Sequence, residues 1–312
     1  MKRIFGPVPS RRLGRSLGID VIPYKTCTFD CVYCECGKTT DKTCKRREFY
    51  PLDELLKEVD HRLSEIPEKP DVLTLSGAGE PSLYSKMGEL IIELKRMSSL
   101  PVAVITNSSL LAINDVREEM LTADIVLPSL DTAIEETFEL INRPHEECSL
   151  EGIIDGLKNF LMRFGGRVLF EILLVDGFNT DERNLLALRD TLGRFRLDSI
   201  QLNTAVRPGT EKDIGPLDTE SLGKIRALFG AGCEIVAGAS TARLTQEDRG
   251  VTEKIIGLLE RRPCTAEDIH RSLGIPVPGV VKIISALSEE GRVISETHGE
   301  KTFYTATKRD IS

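Results

Sequence analysis

Along most of this chain, short aliphatic runs take turns with stretches of helical periodicity. The strand candidates are Leu17 to Ile22, Asp71 to Ser76, Val102 to Thr106, Ile125 to Leu130, Val168 to Val175 and Ser199 to Asn203. Between Pro51 and Ile66, Leu52, Leu55, Leu56, Val59 and Leu63 fall on one face of a helix, and Pro67 and Pro70 stop it. Further helices are expected from about Lys86, Asn114, Ile134, Leu150, Asp181 and Thr219. Strands joined through helices run parallel, because the crossover returns the chain to the same edge. The pattern predicts an α/β fold, a partial or complete parallel (β/α) barrel, with chemistry on the loops at the carboxyl ends of the strands.

The chain has 312 residues, 40% of them hydrophobic, enough for one large domain and a small one. After Cys233 and Ala237-Gly238-Ala239-Ser240 the pattern changes, so a barrel domain is expected over residues 1–245 and a second domain over 250–312. In the second, Thr252 to Glu260, Ala266 to Leu273 and Val277 to Glu289 read as helices, with Thr265 as the N-cap of the middle one. Arg292-Val293-Ile294 and Thr302-Phe303-Tyr304 read as a hairpin. Three helices and a hairpin resemble a small winged helix-turn-helix. Its third helix has Lys282 as its one cation, whereas base readers carry Arg, Asn or Gln there. Lys301, Lys308 and Arg309 add some positive charge near the hairpin. Protein docking, a lid and nucleic-acid binding all stay open for this domain.

A formal net charge of −8 gives no global attraction to nucleic acid or anionic lipid. Met1 to Phe5 leads into Pro7, Pro9 and Arg11-Arg12 rather than an apolar leader. No apolar run approaches the roughly 18 residues of a membrane span. A cytoplasmic chain with no membrane partner is expected.

Of the eight cysteines, Cys27, Cys31, Cys34, Cys36 and Cys44 crowd into one segment, whereas Cys148, Cys233 and Cys264 are scattered and read as small buried residues. Without a secretory leader, a tight cysteine group argues for metal rather than disulfides. Cys27, Cys31 and Cys34 follow the first strand candidate, on the functional face. Three thiolates at this spacing can hold three irons of a 4Fe-4S cluster and leave the fourth iron open. A zinc site would want a fourth ligand, which Cys36 or Cys44 could supply. Those two could also be a resolving pair, an additional ligand pair, or neither. His61, His145, His270 and His298 show no metal spacing and are read as structural.

Cys-x-x-x-Cys-x-x-Cys with Tyr33 before the last cysteine resembles the signature of the radical SAM superfamily. The resemblance implies a cluster whose open iron takes the amino and carboxylate groups of S-adenosylmethionine (SAM). One electron then yields methionine and a 5'-deoxyadenosyl radical that abstracts hydrogen from substrate. Leu75-Ser76-Gly77-Ala78-Gly79-Glu80-Pro81, after the second strand candidate, is similar to the family's Gly-Gly-Glu segment. Gly77 and Gly79 would let backbone approach the ligand, and Glu80 would pair with the methionine ammonium. The resemblance also implies SAM contacts from Tyr33, Ser129 and Asp131, with Asn107 a weaker candidate. Alternatively, Ser129 and Asp131 only cap the following helix. Arg11, Arg12, Arg143 and Arg207 are candidates for gripping a carboxylate or phosphate, Arg207 foremost because it lies just past the sixth strand candidate, on the functional face.

Gly6 to Gly14, Cys36-Gly37-Lys38-Thr39-Thr40 and Ile141-Asn142-Arg143-Pro144 resemble the branch of the superfamily that includes the wyosine (tRNA base) synthases. Those enzymes carry further cysteines upstream of the triplet, and residues 1–26 here contain none. The resemblance implies a reductant such as a flavodoxin or ferredoxin, and a substrate that is an RNA base or a protein partner docked by the C-terminal domain. The alternative from another class is a cluster- or SAM-sensing regulator that binds DNA through the C-terminal domain.

Overall fold

The computed structural model describes residues 3–307 except 11, 68, 207, 208, 212, 237–250, 276 and 300. Arg11, Arg207, Lys308, Arg309, Ala237 to Ser240 and the expected boundary between Thr245 and Gly250 therefore lie outside the described residues.

One sheet dominates, formed by β1 (Ile4–Ser10), β2 (Gly14–Ile19), β3 (Val72–Leu75), β4 (Val102–Thr106), β5 (Ile125–Pro128), β6 (Arg167–Leu174), β7 (Ser199–Thr204) and β8 (Cys233–Ile235). Their order in the sheet is their order in the chain. β1 pairs antiparallel with β2, and every later neighbour pairs parallel. No ladder joins β1 to β8 among the described residues, so hydrogen bonding does not close the sheet into a full barrel. The helices between strands are α1 (Leu52–Glu65), α2 (Met87–Met97), α3 (Asn114–Met120), α4 (Glu135–Ile141), α5 (Leu150–Leu161), α6 (Glu182–Leu192) and α7 (Thr219–Phe229).

Alternation along each strand separates the two faces. Leu17, Ile19, Leu73, Leu75, Val102 and Val104 join Leu55, Val59, Leu90 and Phe160 of the helices in one large core. The opposite face carries Ser16 and Thr74, whose hydroxyls meet at 2.7 Å, beside a smaller apolar set with Val72, Ala103 and Leu127. Asp181, Asp218 and Ser149 cap α6, α7 and α5.

Two strands of this sheet were not expected from the sequence. β1 contains Pro7 and Pro9, which cannot donate to a ladder, and it is tolerated because it lies at the sheet edge. β8 is only three residues long, and its Cys233 is buried against α7 and β7.

The C-terminal region forms α8 (Val251–Leu259), α9 (Ala266–Leu273), α10 (Val277–Glu289) and an antiparallel ribbon of β9 (Val293–His298) and β10 (Lys301–Ala306). Thr265 and Asp268 form a reciprocal capping box at the start of α9. Ile255, Leu259, Ile269, Val280, Ile284 and Val293 make a separate core. This unit is fastened to the large one by Arg261, whose guanidinium lies 3.7 Å from the Phe5 ring centroid and 3.3 Å from the Asp20 carboxylate. Among the described residues, no helix is long and apolar enough to cross a membrane.

Candidate functional site

The segment after β2 carries the cysteine triplet, as the strand pattern predicts. Thr26–Cys27 pairs with Asp41–Lys42 in a two-residue ladder, and Cys31 to Gly37 turns back on itself through Cys34 N–H to Cys31 O and Gly37 N–H to Cys34 O. Each triplet sulfur meets one side-chain N–H donor. Asn107 Nδ2 reaches Cys27 Sγ at 3.6 Å, Asn142 Nδ2 reaches Cys31 Sγ at 3.5 Å, and Lys25 Nζ reaches Cys34 Sγ at 3.1 Å. Lys25 is 2% exposed and adopts φ +58°, an uncommon conformation for a non-glycine residue. Asn107 was only a weak candidate in the sequence. Lys25 and Asn142 were missed as functional groups, because the one precedes the motif and the other is 111 residues from Cys31.

The loop after β3 is joined to the cysteine segment backbone to backbone. Lys25 N–H donates to Ala78 O at 2.8 Å, and Glu80 N–H donates to Thr26 O at 3.2 Å. A methyl group on Gly79 would stand 1.9 Å from Thr26 O, and one on Gly77 would stand 2.0 Å from Asp20 Oδ1. The glycines are therefore required first by the approach of the two loops to each other. Glu80 is 1% exposed. Its Oε1 accepts from Ser82 N–H, Ser82 Oγ and Thr106 Oγ1, and its Oε2 accepts from Asn107 N–H at 2.7 Å. Each carboxylate oxygen has about two acceptor positions, so Oε1 is crowded by three donors while Oε2, with one, is the less occupied of the two. Burial pushes the Glu80 carboxyl up, and these donors oppose the shift.

Asp131 is also buried. Its carboxylate accepts from Tyr33 OH, from Asn142 Nδ2 at 2.7 Å and from Leu173 N–H at 3.0 Å. Tyr33 and Asp131, 98 residues apart, are thus direct partners. Neither Ser129 nor Asp131 caps α4, whose N-cap position is Ile134 without a side-chain bond. Ser129 is half-buried and donates to Thr106 O at 3.3 Å.

The two arginine candidates among the described residues are engaged within the protein: Arg12 pairs with Glu171 at 2.9 Å and Arg143 with Glu211 at 2.7 Å. Cys36 and Cys44 are not a pair. Cys36 lies beside Cys34 and its Sγ contacts Arg261 O at 3.5 Å, whereas Cys44 Sγ lies 3.3 Å from Cys148 Sγ. Cys148 is half-buried, which corrects its reading as a small core residue.

The three sulfurs differ electrostatically. Burial pushes the Cys27 thiol up to about 12, with the Glu80 carboxylate adding to it, and burial with Asp131 raises Cys31 well above its ordinary range. Cys34 is lowered to about 6 by the Cys36 thiol and, after burial opposes it, by the Lys25 ammonium. A bound metal would displace the remaining protons. Three convergent sulfurs, each with an N–H donor, fit a 4Fe-4S cluster with one open iron. The adjoining glycine loop with a buried carboxylate fits an amino-acid ligand beside it. Next to this site lies a cleft of about 870 Å³. Ser16 and Thr74 line it from the sheet, Arg12 from the turn between β1 and β2, Gly77 and Ala78 from the loop, and Arg261, Arg271 and Phe303 from the C-terminal unit.

Comparisons with known proteins agree with this geometry. The chain is 35% identical over 309 residues to a "UPF0026 protein" of Methanocaldococcus jannaschii, covering 96% of this chain and 94% of the relative. It is 35% identical over 304 residues to a Brachyspira hyodysenteriae protein named "GTPase Obg", covering 95% of this chain but 44% of that longer protein. Gly37-Lys38-Thr39 lacks the first glycine of a nucleotide-binding P-loop, since position 32 is Val32. In fold, the chain resembles the crystal structure of a radical SAM methyltransferase from Sphaerobacter thermophilus, with TM-score 0.58, 15% identity, 72% of this chain and 67% of that one covered. Residues 21–188 match the family model described as "Radical SAM superfamily", and the chain belongs to that superfamily of enzymes, which use a 4Fe-4S cluster and S-adenosylmethionine.

Proposed function

We propose that this chain cleaves SAM reductively at a cluster held by Cys27, Cys31 and Cys34, and takes a hydrogen atom from a substrate lodged in the cleft under the C-terminal unit. When bound, the cluster and SAM supply a 5'-deoxyadenosyl radical. The observation that carries this reading is the pair of backbone hydrogen bonds between the cysteine segment and the Gly77 to Glu80 loop. Whatever that loop binds is held beside the three sulfurs.

In this reading Lys25, Asn107 and Asn142 set the electrostatics at the sulfurs, since hydrogen bonds to cluster sulfurs tune reduction potential. Glu80 offers Oε2 to the methionine ammonium, and Gly77 and Gly79 keep the loop against Thr26 and Asp20. Ser129 contributes a hydroxyl from the end of β5. Asp131 keeps Tyr33 and Asn142 oriented. Arg207 retains its role as an anion contact from the sequence pattern.

The substrate we favour is macromolecular, an RNA base or a protein side chain. The C-terminal unit, read as a winged helix, lends the cleft both cations (Arg261, Arg262, Arg271, Lys301) and anions (Glu267, Asp268), which suits polar docking better than an apolar small molecule. The sequence phrases shared with the wyosine synthase branch support a base, although wyosine formation itself is not proposed. The electron would come from a flavodoxin or ferredoxin, and we read the chain as cytoplasmic. Anaerobic incubation of the reconstituted protein with deuterated candidate RNAs and proteins tests the proposal. Deuterium in 5'-deoxyadenosine identifies the hydrogen donor, and SAM cleavage absent under every reducing condition would refute the reading.

A further inference from the structure

Two segments distant in sequence bring three metal-binding side chains together outside the triplet, and a fourth, Cys148, touches one of them. Cys44 Sγ and Cys148 Sγ are 3.3 Å apart across 104 residues. The ligand atoms of Cys44, His145 and Glu147 all lie within 4.8 Å of one another. We propose that Cys44, Cys148, His145 and Glu147 bind one zinc ion, at a site separate from the three-cysteine cluster.

The donor set selects the metal. Two thiolates, an imidazole and a carboxylate match tetrahedral zinc, whereas magnesium and calcium want oxygen alone. Binding is a ligand exchange without redox: zinc takes two sulfur, one nitrogen and one oxygen donor, and two thiol protons leave to solvent. The ring nitrogen Nδ1 of His145 accepts the Glu147 amide at 3.2 Å, a long contact with little to lose to a metal. Glu147 is exposed, and Cys44, His145 and Cys148 are half-buried, so an ion can enter from solvent.

The backbone already holds the two segments in place. Thr43 N–H donates to Cys27 O at 3.0 Å, His145 N–H to Thr28 O at 2.8 Å, and Cys148 N–H closes a turn on His145 O at 2.8 Å. Lys42 Nζ adds a bond to Pro144 O at 3.0 Å. Three of the ligands are therefore together before metal arrives and Cys148 already touches Cys44, which lowers the ordering cost of binding. Zinc here would pin the cysteine segment to the segment that supplies Asn142, the donor to Cys31. A disulfide between Cys44 and Cys148 would need an oxidant and would leave His145 and Glu147 without a part.

Metal analysis of the protein with its cluster loaded, purified from zinc-supplemented cells, is the test. About one zinc per chain is expected beside the cluster iron, with zinc-edge absorption giving two sulfurs at about 2.3 Å and two lighter ligands. The Cys44→Ser, Cys148→Ser double variant should lose the zinc and keep the iron. The Cys27→Ala, Cys31→Ala, Cys34→Ala triple variant should lose the iron and keep the zinc. His145→Asn leaves all the cysteines in place, and should weaken zinc retention against a chelator by about tenfold or more. Wild-type protein without zinc and with a Cys44–Cys148 disulfide by mass spectrometry would overturn the proposal. So would zinc that follows the triplet rather than the pair, or extra iron bound at Cys44 and Cys148.

Discussion

Single residues at this site act through what they hold in place. Cys27→Ala, Cys31→Ala or Cys34→Ala should each abolish cluster binding and the release of 5'-deoxyadenosine from SAM, since a three-ligand set has no spare member. Full turnover in any one of them would refute the assignment. Lys25 is a buried cation 3.1 Å from Cys34 Sγ. Lys25→Met removes a positive charge that favours the reduced cluster, so its midpoint potential should fall by tens of millivolts, with about 59 mV equal to a tenfold change in a one-electron equilibrium. Potentiometry followed by electron paramagnetic resonance reads this directly, whatever the substrate. Asp20 has a different signature. Burial pushes its carboxyl from 3.8 up to about 6 despite Arg261, and the same burial pushes Arg261 down. The folded protein therefore holds the Asp20 proton more tightly than the unfolded chain does. The stability this residue contributes is greatest below about pH 4 and falls by an order of 3 kcal/mol as pH rises to about 6. Denaturant titrations of the wild-type and Asp20→Asn proteins should diverge across that window, and a constant difference between them would contradict the shift.

At the scale of an element, the loop after β3 is defined by how closely it approaches the cysteine segment. Gly79→Ala forces a methyl group against the Thr26 carbonyl, and overpacking against backbone costs about 1–3 kcal/mol. Lower stability and poor iron retention are both expected, measured by thermal melting and iron content. Gly223, inside α7, has nothing within 4 Å of an added methyl group. Gly223→Ala should instead stabilise by about 0.5–1 kcal/mol through helix propensity alone. A matching loss in both variants would show that the Gly79 effect does not come from the joint between the loops.

For the whole molecule, both units line the cleft, and the residues proposed for the cluster lie in the large one. The residues assigned to cluster or SAM precede Thr210, and residues from Val251 onward form their own core. Deleting residues 251–312 should leave iron content and uncoupled SAM cleavage close to those of the full chain, while product formation is lost or its KM rises. Loss of iron on truncation would show that Arg261 and its contacts with Asp20 and Cys36 are part of the cluster site. Arg261→Ala is a milder form of the same test. It leaves a buried carboxylate without its partner, a change that commonly costs about 3–5 kcal/mol.

Local signals carried a great deal here. Alternating strand and helix periods announced β2 to β7 and α1 to α10, because each period reflects a face buried by its own residues. The cysteine triplet and the glycine-glutamate segment were legible because their chemistry is packed into single loops. β1 was hidden, since its prolines make poor strand residues except at an edge, and being an edge is a property of the sheet. The same limit applies to Asn142 on Cys31, Tyr33 on Asp131, Arg261 on Asp20 and Cys44 on Cys148. Each pair joins residues far apart in the chain: parallel strands that deliver successive loops to one end of the sheet bring three of the pairs together, and the packing of the C-terminal unit on the large one brings Arg261 to Asp20.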